Sequence, residues 1–529
     1  MAEIRNFSKK KFRLICLASL LIACNIPINA QQNTWVYFAD KDTTQFNAPE
    51  QFDSHALARR TKNGRLNLTF TDYPVNQNYI GKISKFGRII YVSRWLNAAL
   101  IKANDDKLGN ISSLPFVKNV SLEQQVQVSN AEDHGAAVLN KEDKFVLSRQ
   151  INIMQGEKFI SNGICGKGVR IAIFDGGFSG VDKSDIFKQL FEQKQIVKTY
   201  DFIRKKEFVY GYMTHGTKVL SCLAGKYKGQ SMGLATGAEY MLAITEIRPE
   251  RHLEEHCWLE AMEWADQNGA DIISSSLGYT SKLYSVNSMD GKSSIVAKAA
   301  GIAAEKGILV VNAMGNDGND TWEIMGTPAD VDSVLSVGGI SPFTGIHIDF
   351  SSFGPTSDFR LKPNVCAPGI AVTWAKNGVT RSYGTSFSTP LIAGFAACIW
   401  QMKPSLTNMQ VFRLMEQSGN LYPYFDYAHG YGIPQASYFT THRNRDTANT
   451  FDLTVNDNML NVQITDLNTK EGEPDDYLYY HIETPGKKLR YYAVIKVNKP
   501  DVLELSLDSL KEGEKYCFFY KNCFKEFKR

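Results

Sequence analysis

From residue 166 to about residue 439, short apolar segments rich in β-branched residues alternate with segments of helical character. The apolar segments that are long enough for buried strands include 169–174, 271–277, 307–313 and 333–339. Helical segments such as 259–268 and 293–306 lie between them. This alternation predicts an α/β fold with a mostly parallel sheet flanked by helices. In such a sheet, the functional site lies beyond the carboxyl ends of the strands.

The segments on either side of this α/β domain have other patterns, and they divide the chain into predicted domains. Residues 33–128 predict a separate α+β unit, with strands at 35–39 and 92–101 and a helix over 105–114. Residues 129–165 are predicted to be mainly a polar linker, and residues 166–440 form the α/β domain. The alternation of apolar and polar residues over 445–529 predicts a small β-rich C-terminal domain.

Composition places the chain among ordinary globular proteins and excludes some partners. Of the 529 residues, 43% are hydrophobic and 22% are charged, which is typical of globular domains. The 59 basic side chains nearly balance the 55 acidic ones, so the formal net charge is only +4. A balance this even argues against a nucleic-acid or membrane-surface protein, and we expect no nucleic-acid partner.

The first 30 residues have the layout of a secretory signal peptide. Five cations precede an apolar run over 14–23, which is too short to cross a bilayer as a helix, and a polar stretch leads to Ala30, after which we expect cleavage. The residues Leu21-Ile22-Ala23-Cys24 also fit a lipoprotein signal, in which a lipidated Cys24 would attach the protein to a membrane. A buried N-terminal helix suits the clustered cations less well. The sequence therefore predicts export to the periplasm, the cell surface or the medium.

The cysteines of the sequence do not define a disulfide framework. Removal of the signal peptide would leave seven cysteines, an odd number that cannot all pair. Cys517 and Cys523 are close together in a β-like segment and are the best candidates for a disulfide, although the pairing stays open. Pairs of the CxxC type and His/Cys clusters with zinc spacing do not occur in the sequence, so no metal site built on thiols is expected.

Three short motifs in the α/β domain place polar residues at a strand end or a helix start. Asp175 ends the apolar segment 171–174, His215 precedes a helical segment, and Ser386 lies in Gly384-Thr385-Ser386. Alone, each motif fits an ordinary role as a turn, a core histidine or a helix cap. A Ser hydroxyl needs a base, and the base needs a group that orients it, so their joint occurrence in the order Asp, His, Ser indicates nucleophilic catalysis.

The environment of Ser386 also favours developing negative charge. Pro390 is expected in the first turn of an apolar helix over 391–400, where its missing N–H costs nothing. Ser386 would then lie at a helix N-terminus, where main-chain N–H groups have no helical acceptor and the helix dipole favours an anion.

These motifs resemble those of the subtilisin-like serine peptidases (subtilases), and the resemblance covers residues 166–440. The segments 274–278, 312–316, 350–355, 362–369 and 384–390 resemble family signatures. The resemblance implies a subtilisin-like fold and a serine endopeptidase that cleaves polypeptides through an acyl-enzyme intermediate. It assigns Asp175, His215 and Ser386 to a catalytic triad and Asn316 to the oxyanion hole. It assigns substrate binding to Ser275, Ser276, Leu277, Gly278, Met314 and Gly315.

Three positions in these motifs either differ from the family or also fit an ordinary structural role. Gly176 follows the triad Asp where the family usually has Ser or Thr, but none of the three acting groups is lost. Met314 replaces a commonly small residue, and it either narrows the S1 pocket or fills core space. Asn316 also fits an ordinary Asn-Asp-Gly turn, although its place after a predicted buried strand favours the oxyanion role.

The N-terminal unit resembles the inhibitory propeptides of exported subtilases of Bacteroidetes, on residues 35–38, 91–100 and 114–117. The resemblance implies a zymogen whose propeptide occupies the cleft and is removed by self-cleavage within 124–150, so that 129–165 contains the start of the mature chain. No cofactor is required for the chemistry that it implies. Many subtilases bind structural calcium, but no residue pattern here assigns the ligands. The sequence leaves three possible roles for the C-terminal domain: sorting, substrate docking or stabilisation.

Two other functions fit the motifs less well than an endopeptidase does. A serine esterase or lipase is disfavoured, because the segment 384–388 lacks the second glycine of the G-x-S-x-G motif and because the base precedes the nucleophile. An inactive binding protein on a protease scaffold would have lost a triad residue, and all three are present.

Overall fold

The structure, a computed structural model, describes residues 31–43, 46–64, 68–122, 139–247, 253–281, 283–375, 378–441, 448–467 and 476–529. The predicted signal peptide, its alternative lipidation at Cys24 and most of the predicted self-cleavage region lie outside these ranges. Within them, no helix combines the length and the apolarity that crossing a bilayer requires.

The N-terminal unit is an antiparallel sheet with helices packed on one face. Its elements are β1 Gln31–Phe38, α1 Ala48–Gln51, α2 Ser54–Lys62, α3 Gln77–Ile83, β2 Gly87–Ser93, β3 Ala98–Asn104, α4 Leu108–Ser112 and β4 Val117–Leu122. The strand order is β2-β3-β1-β4. Alternate residues of β1 face opposite sides of the sheet: Val36 packs against α3 and α4, whereas Trp35 packs against the central domain.

The predicted single strand over 92–101 is wrong. The structure divides this segment into the end of β2, a turn and the start of β3. Asn97 in the turn has φ 49°, a left-handed conformation that Asn tolerates better than most residues. Trp95 of the turn is buried against the central domain and Leu96 is partly buried there, so the middle of the turn lacks the polar residues that would indicate a loop.

The central domain contains the predicted alternation of strands and helices. Its elements are α5 Lys141–Asn152, α6 Glu157–Ser161, β5 Arg170–Asp175, α7 Lys188–Glu192, β6 Ile196–Asp201, α8 His215–Ala224, β7 Lys226–Tyr227, β8 Gln230–Ser231, β9 Glu239–Ile244, α9 Leu253–Gln267, β10 Ile272–Ser275, α10 Ile295–Glu305, β11 Leu309–Ala313, β12 Leu335–Ile340, β13 Val365–Pro368, β14 Ile370–Ala375, β15 Gly378–Tyr383, α11 Thr385–Met402, α12 Asn408–Gln417 and α13 Ser437–Thr440.

A parallel sheet with the strand order β13-β12-β11-β10-β5-β9-β6 forms the middle layer of this domain. Ile171 and Ile173 of β5 face the core shared with α8 and α11, and Ala172 and Phe174 face the core shared with α9 and α10. Helices therefore cover both faces, which explains why the strands are apolar throughout rather than alternating. The predicted fold class, a mostly parallel sheet flanked by helices, is confirmed.

The C-terminal domain is built of antiparallel strands that share one apolar core. They are β16 Phe451–Asn456, β17 Met459–Ile464, β18 Tyr477–Glu483, β19 Leu489–Lys496, β20 Asp501–Ser506, β21 Lys515–Tyr520 and β22 Cys523–Lys528. One sheet has the order β16-β17-β20 and the other has the order β19-β18-β21-β22.

The disulfide considered between Cys517 and Cys523 does not form. In the β21–β22 hairpin, Cys517 lies opposite Glu526 and Cys523 lies opposite Tyr520, so the two thiols lie on opposite faces of the sheet. All cysteines within the described residues are free thiols.

Candidate active site

Strand β5 delivers a buried carboxylate to the edge of the sheet. All residues of β5 are buried, and Asp175 is its last residue. The Gly176 N–H donates to Asp175 Oδ1 at 2.7 Å, and His215 Nδ1 lies 2.8 Å from Oδ2 and 3.0 Å from Oδ1. A carboxylate at Nδ1 favours the tautomer with the proton on Nδ1 and leaves Nε2 as a proton acceptor.

A glycine lets the helix that carries His215 come close to Asp175. His215 is the first residue of α8, and Gly216 follows it. A Cβ on Gly216 would lie 2.6 Å from the Gly177 carbonyl oxygen and 3.0 Å from Asp175 Cβ. Any larger residue at this position would push the start of α8 away from the end of β5.

Ser386 lies at the start of the long buried helix α11, which begins at Thr385. As the second helical residue, its main-chain N–H has no acceptor within the helix. Its hydroxyl makes a long contact, 3.4 Å to the Ser276 carbonyl oxygen. Ser386 and His215 line one cleft of about 270 Å³, together with Asn316, so the structure brings the four predicted catalytic residues to one edge of the sheet.

The predicted place of Pro390 in the first helical turn is wrong. Because α11 begins at Thr385, Pro390 is inside the helix, where it lacks the N–H that would bond the Ser386 carbonyl. The Ser276 hydroxyl supplies the missing donor and bonds the Ser386 carbonyl oxygen at 2.8 Å. The main chain of Ser386 is thus fixed by a neighbouring strand end rather than by its own helix.

Thr385 orients the amide of Asn316. Asn316 Oδ1 accepts a bond from the Thr385 N–H at 2.8 Å and one from Thr385 Oγ1 at 3.1 Å. With the oxygen occupied, Nδ2 is the end of the amide that can donate to a ligand. The sequence motifs alone gave Thr385 no role. The available signal was its place directly before the serine, at the first position of a helix.

The structure divides the predicted substrate-binding residues into two groups. Ser276, Leu277, Gly278 and Gly315 line the cleft. The side chains of the other two are directed elsewhere. Ser275 Oγ accepts a bond from Trp258 Nε1, and Met314 is fully buried in a cluster with Met289, Trp322 and Met325. Met314 therefore packs in an apolar cluster and does not line the cleft that contains Ser386.

A methionine occupies the space beside Gly176. A Cβ on Gly176 would lie only 1.8 Å from Met213 Cε, so a Ser or Thr at this position would require the flexible end of that side chain to move. Met213 also lines the cleft next to His215. The end of the Met213 side chain therefore occupies the space that a side chain at position 176 would enter, a contact that no local sequence pattern indicates.

Comparison with known families identifies this arrangement. The family described as "Subtilase family" matches residues 166–432, which is half of the chain. The chain belongs to the subtilase family. It is 29% identical to subtilisin DY of Bacillus licheniformis over 285 residues, covering 53% of this chain and 94% of that protein. It is 27% identical to the serine protease AprX of Bacillus subtilis over 312 residues, covering 53% of this chain and 67% of that protein.

Among solved structures, this subtilase is similar to the prenylagaramide maturation protease PagA, with 25% identity and a TM-score of 0.41 over 50% of this chain and 88% of that chain. A second family, "Peptidase S8 propeptide domain, Bacteroidota", matches residues 33–137. The protein is a serine endopeptidase of the subtilase type that carries an N-terminal propeptide, as its sequence motifs predicted.

Proposed function

We propose that this subtilase is an exported endopeptidase that uses Asp175, His215 and Ser386 as its triad and is made as a self-processed zymogen. The observation that carries the proposal is the contact of His215 Nδ1 with the buried Asp175 carboxylate, at the edge of a cleft that also contains Ser386. Its substrates are polypeptides, and its own propeptide is the intramolecular inhibitor.

In the proposed reaction, Ser386 Oγ attacks the carbonyl carbon of the scissile peptide bond. His215 Nε2 takes the hydroxyl proton and then donates it to the leaving amine. Asp175 holds the imidazole in the required tautomer and stabilises the imidazolium that forms. A water molecule then attacks the acyl-enzyme by the reverse sequence of proton transfers, which releases the carboxylate product and restores Ser386.

Two hydrogen-bond donors are assigned to stabilise the negative charge of the tetrahedral intermediate. One is Asn316 Nδ2, whose amide is oriented by Thr385, and the other is the Ser386 N–H at the start of α11. A donor of this kind contributes about 2.7–4 kcal/mol to the transition state. We assign the main chain of 276–278 to the binding of an extended peptide substrate, because these residues line the cleft together with Gly315 and because Gly278 is exposed.

This chemistry is complete with the side chains and main chain of the protein, and no cofactor takes part in a step. Structural calcium is assigned no ligands. Within the described ranges, the metal-ligating cluster of His, Cys and acidic side chains lies in the C-terminal sheet and contains a thiol and an imidazole, which calcium does not prefer.

Labelling with a serine-directed fluorophosphonate tests the triad assignment. We expect the processed wild-type protein to be labelled stoichiometrically, because the probe mimics the tetrahedral intermediate and bonds to the activated hydroxyl. Ser386→Ala should not be labelled, and Ser388→Ala serves as the control because Ser388 is buried and bonds the Pro368 carbonyl. Equal labelling of wild type and Ser386→Ala would refute the assignment.

The fate of the N-terminal unit tests self-processing. If Ser386 cuts the chain itself, Ser386→Ala expressed in a host without other extracellular proteases should keep residues from 31 onward, and the wild type should lose the propeptide. N-terminal sequencing of both proteins measures this, and the same measurement on the wild type reports the cleavage position. A trimmed Ser386→Ala protein would show that another protease performs the cut.

A further inference from the structure

The C-terminal sheet brings a group of metal-ligating side chains onto one face of three neighbouring strands. His481 of β18 lies opposite Cys517 of β21, and Cys517 lies opposite Glu526 of β22. Glu483 is two residues beyond His481 on the same face of β18, opposite Lys515. None of these residues takes part in the proposed peptidase chemistry.

The ligand atoms of His481, Glu483 and Cys517 lie within 4.8 Å of one another. His481 Nε2 is 3.9 Å from Glu483 Oε2. Around a tetrahedral zinc ion, with bonds of about 2.0–2.3 Å, such atoms would be about 3.3–3.8 Å apart. Small side-chain rotations would close the difference, since the three residues sit on adjacent, paired positions of the sheet.

His481 is buried, and its ring nitrogens lack hydrogen-bond partners among the described residues. Its side chain is only 4% exposed, and neither ring nitrogen makes a hydrogen bond of normal geometry with a described residue. A buried polar group without a partner destabilises the folded protein.

Neighbouring side chains contact the proposed ligands and hold them in place. Lys515 Nζ contacts Glu483 Oε1 at 3.2 Å, which leaves Oε2 for an ion, and it also contacts Glu526 Oε1 at 2.5 Å. The His481 ring packs on Tyr424 with 4.9 Å between ring centroids. Outer contacts of this kind orient the ligands of metal sites.

The charges of the cluster also balance with a divalent ion. Glu483, Glu526 and a Cys517 thiolate carry three negative charges, and Lys515 carries one positive charge. A divalent cation makes the group neutral. Burial raises the pKa of Cys517 to about 12, so an ion that binds the sulfur must displace the thiol proton to solvent.

We propose that His481, Glu483 and Cys517 bind one zinc-type divalent transition-metal ion, with Glu526 next to the fourth coordination position. The ion would join β18 to β21 beside the place where Tyr479 and Phe519 pack on Leu421 and Tyr424 of the peptidase domain. Its role is structural: it holds the C-terminal sheet and the surface by which that sheet docks. The ligands come from different strands, which is why the sequence shows no zinc spacing.

The test uses Co²⁺ as the probe and the full-length chain carrying Ser386→Ala, reduced and freed of metal. We expect one equivalent of Co²⁺ to bind and to give a thiolate-to-metal charge-transfer absorption, and one equivalent of Zn²⁺ to displace it. Cys517→Ser should lack that absorption and bind about 100-fold more weakly. Cys523→Ser is the matched control, because it removes a buried thiol from the other face of the same hairpin.

Three results would overturn the proposal: no charge-transfer absorption in the parent chain, the same absorption in Cys517→Ser, or its loss in Cys523→Ser. Circular dichroism checks that each variant is folded. If Cys517→Ser does not fold, Glu483→Gln replaces it, since that side chain is 21% exposed. Weakened Co²⁺ binding with the thiolate absorption retained supports the site, and unchanged affinity of Glu483→Gln overturns it.

Discussion

Replacing His215 by alanine should lower kcat for a peptide substrate by about six orders of magnitude. The imidazole is the proton acceptor in the proposed mechanism, and its orientation comes from the buried Asp175 carboxylate at 2.8 Å. Without the ring, the Ser386 hydroxyl has no base, because the carbonyl oxygen of Ser276, which lies 3.4 Å away, cannot take its proton. What remains is the catalysis that the oxyanion donors and substrate binding supply.

The decisive measurement is the double variant His215→Ala/Ser386→Ala. Because the two residues act as one unit, the double variant should be no slower than either single variant. Each variant is first processed by tagged wild-type enzyme, which is then removed, and kcat is measured with a chromogenic peptide. The control is thermal unfolding: the His215 side chain is 27% exposed, so the midpoint should change little. The triad would be contradicted if the kcat losses of the two single variants multiplied in the double variant. It would also be contradicted if His215→Ala kept more than about 1% of the wild-type kcat.

The sequence predicted those parts of the site that single elements encode. Asp175 ends an unbroken apolar run, and His215 and Ser386 lie near the starts of helical segments; their joint order and the family resemblance then indicated catalysis. The parallel sheet could be predicted for the same reason, since strands covered on both faces are apolar throughout. Each of these signals lies within about ten neighbouring residues.

The features that the sequence did not predict depend on contacts between distant segments. Pro390 can lie inside α11 only because Ser276, far away in the chain, bonds the carbonyl that Pro390 leaves without a donor. Gly176 lies against the end of the Met213 side chain, and the group of potential metal ligands in the C-terminal sheet is brought together by strand register. Helix and strand patterns contain no information on such pairs.

A second large effect is expected at the surface between the propeptide and the peptidase domain. Asp266 of α9 is fully buried and receives hydrogen bonds from three arginines of the N-terminal unit. Arg59 Nη2 contacts Oδ1 at 2.5 Å, and Arg60 and Arg94 each contact Oδ2 at 2.8 Å. Burial alone would raise the pKa of Asp266, but the three guanidinium groups lower it to about 2. At a pH above the ordinary pKa of Asp, the ionised carboxylate therefore stabilises the docked propeptide. This stabilisation is lost as the pH falls toward 2 and the carboxylate becomes protonated.

Asp266→Asn should weaken the docking of the propeptide by about 3 kcal/mol, or about 100-fold, because removing one partner of a buried charged group leaves the others uncompensated. The Asn side chain keeps an oxygen that accepts hydrogen bonds from the arginines. The expected loss of docking free energy is therefore at the lower end of the range for the removal of one partner of a buried ion pair. The measurement is hydrogen exchange of the intact Ser386→Ala chain. Main-chain amides of α2, which carries Arg59 and Arg60, should exchange about 100-fold faster in Asp266→Asn.

Glu260→Gln provides the matched control, because Glu260 lies on the same helix and forms its ion pair with Lys205 of the peptidase domain. Since 24% of the Glu260 side chain is exposed and the pair joins no residue of the propeptide, exchange in α2 should be unchanged. Equal protection of α2 in wild type and Asp266→Asn would show that the apolar contacts of Trp35 and Leu100 hold the propeptide without the ion-pair network. Faster exchange throughout the peptidase domain would instead show that Asp266 stabilises α9 itself.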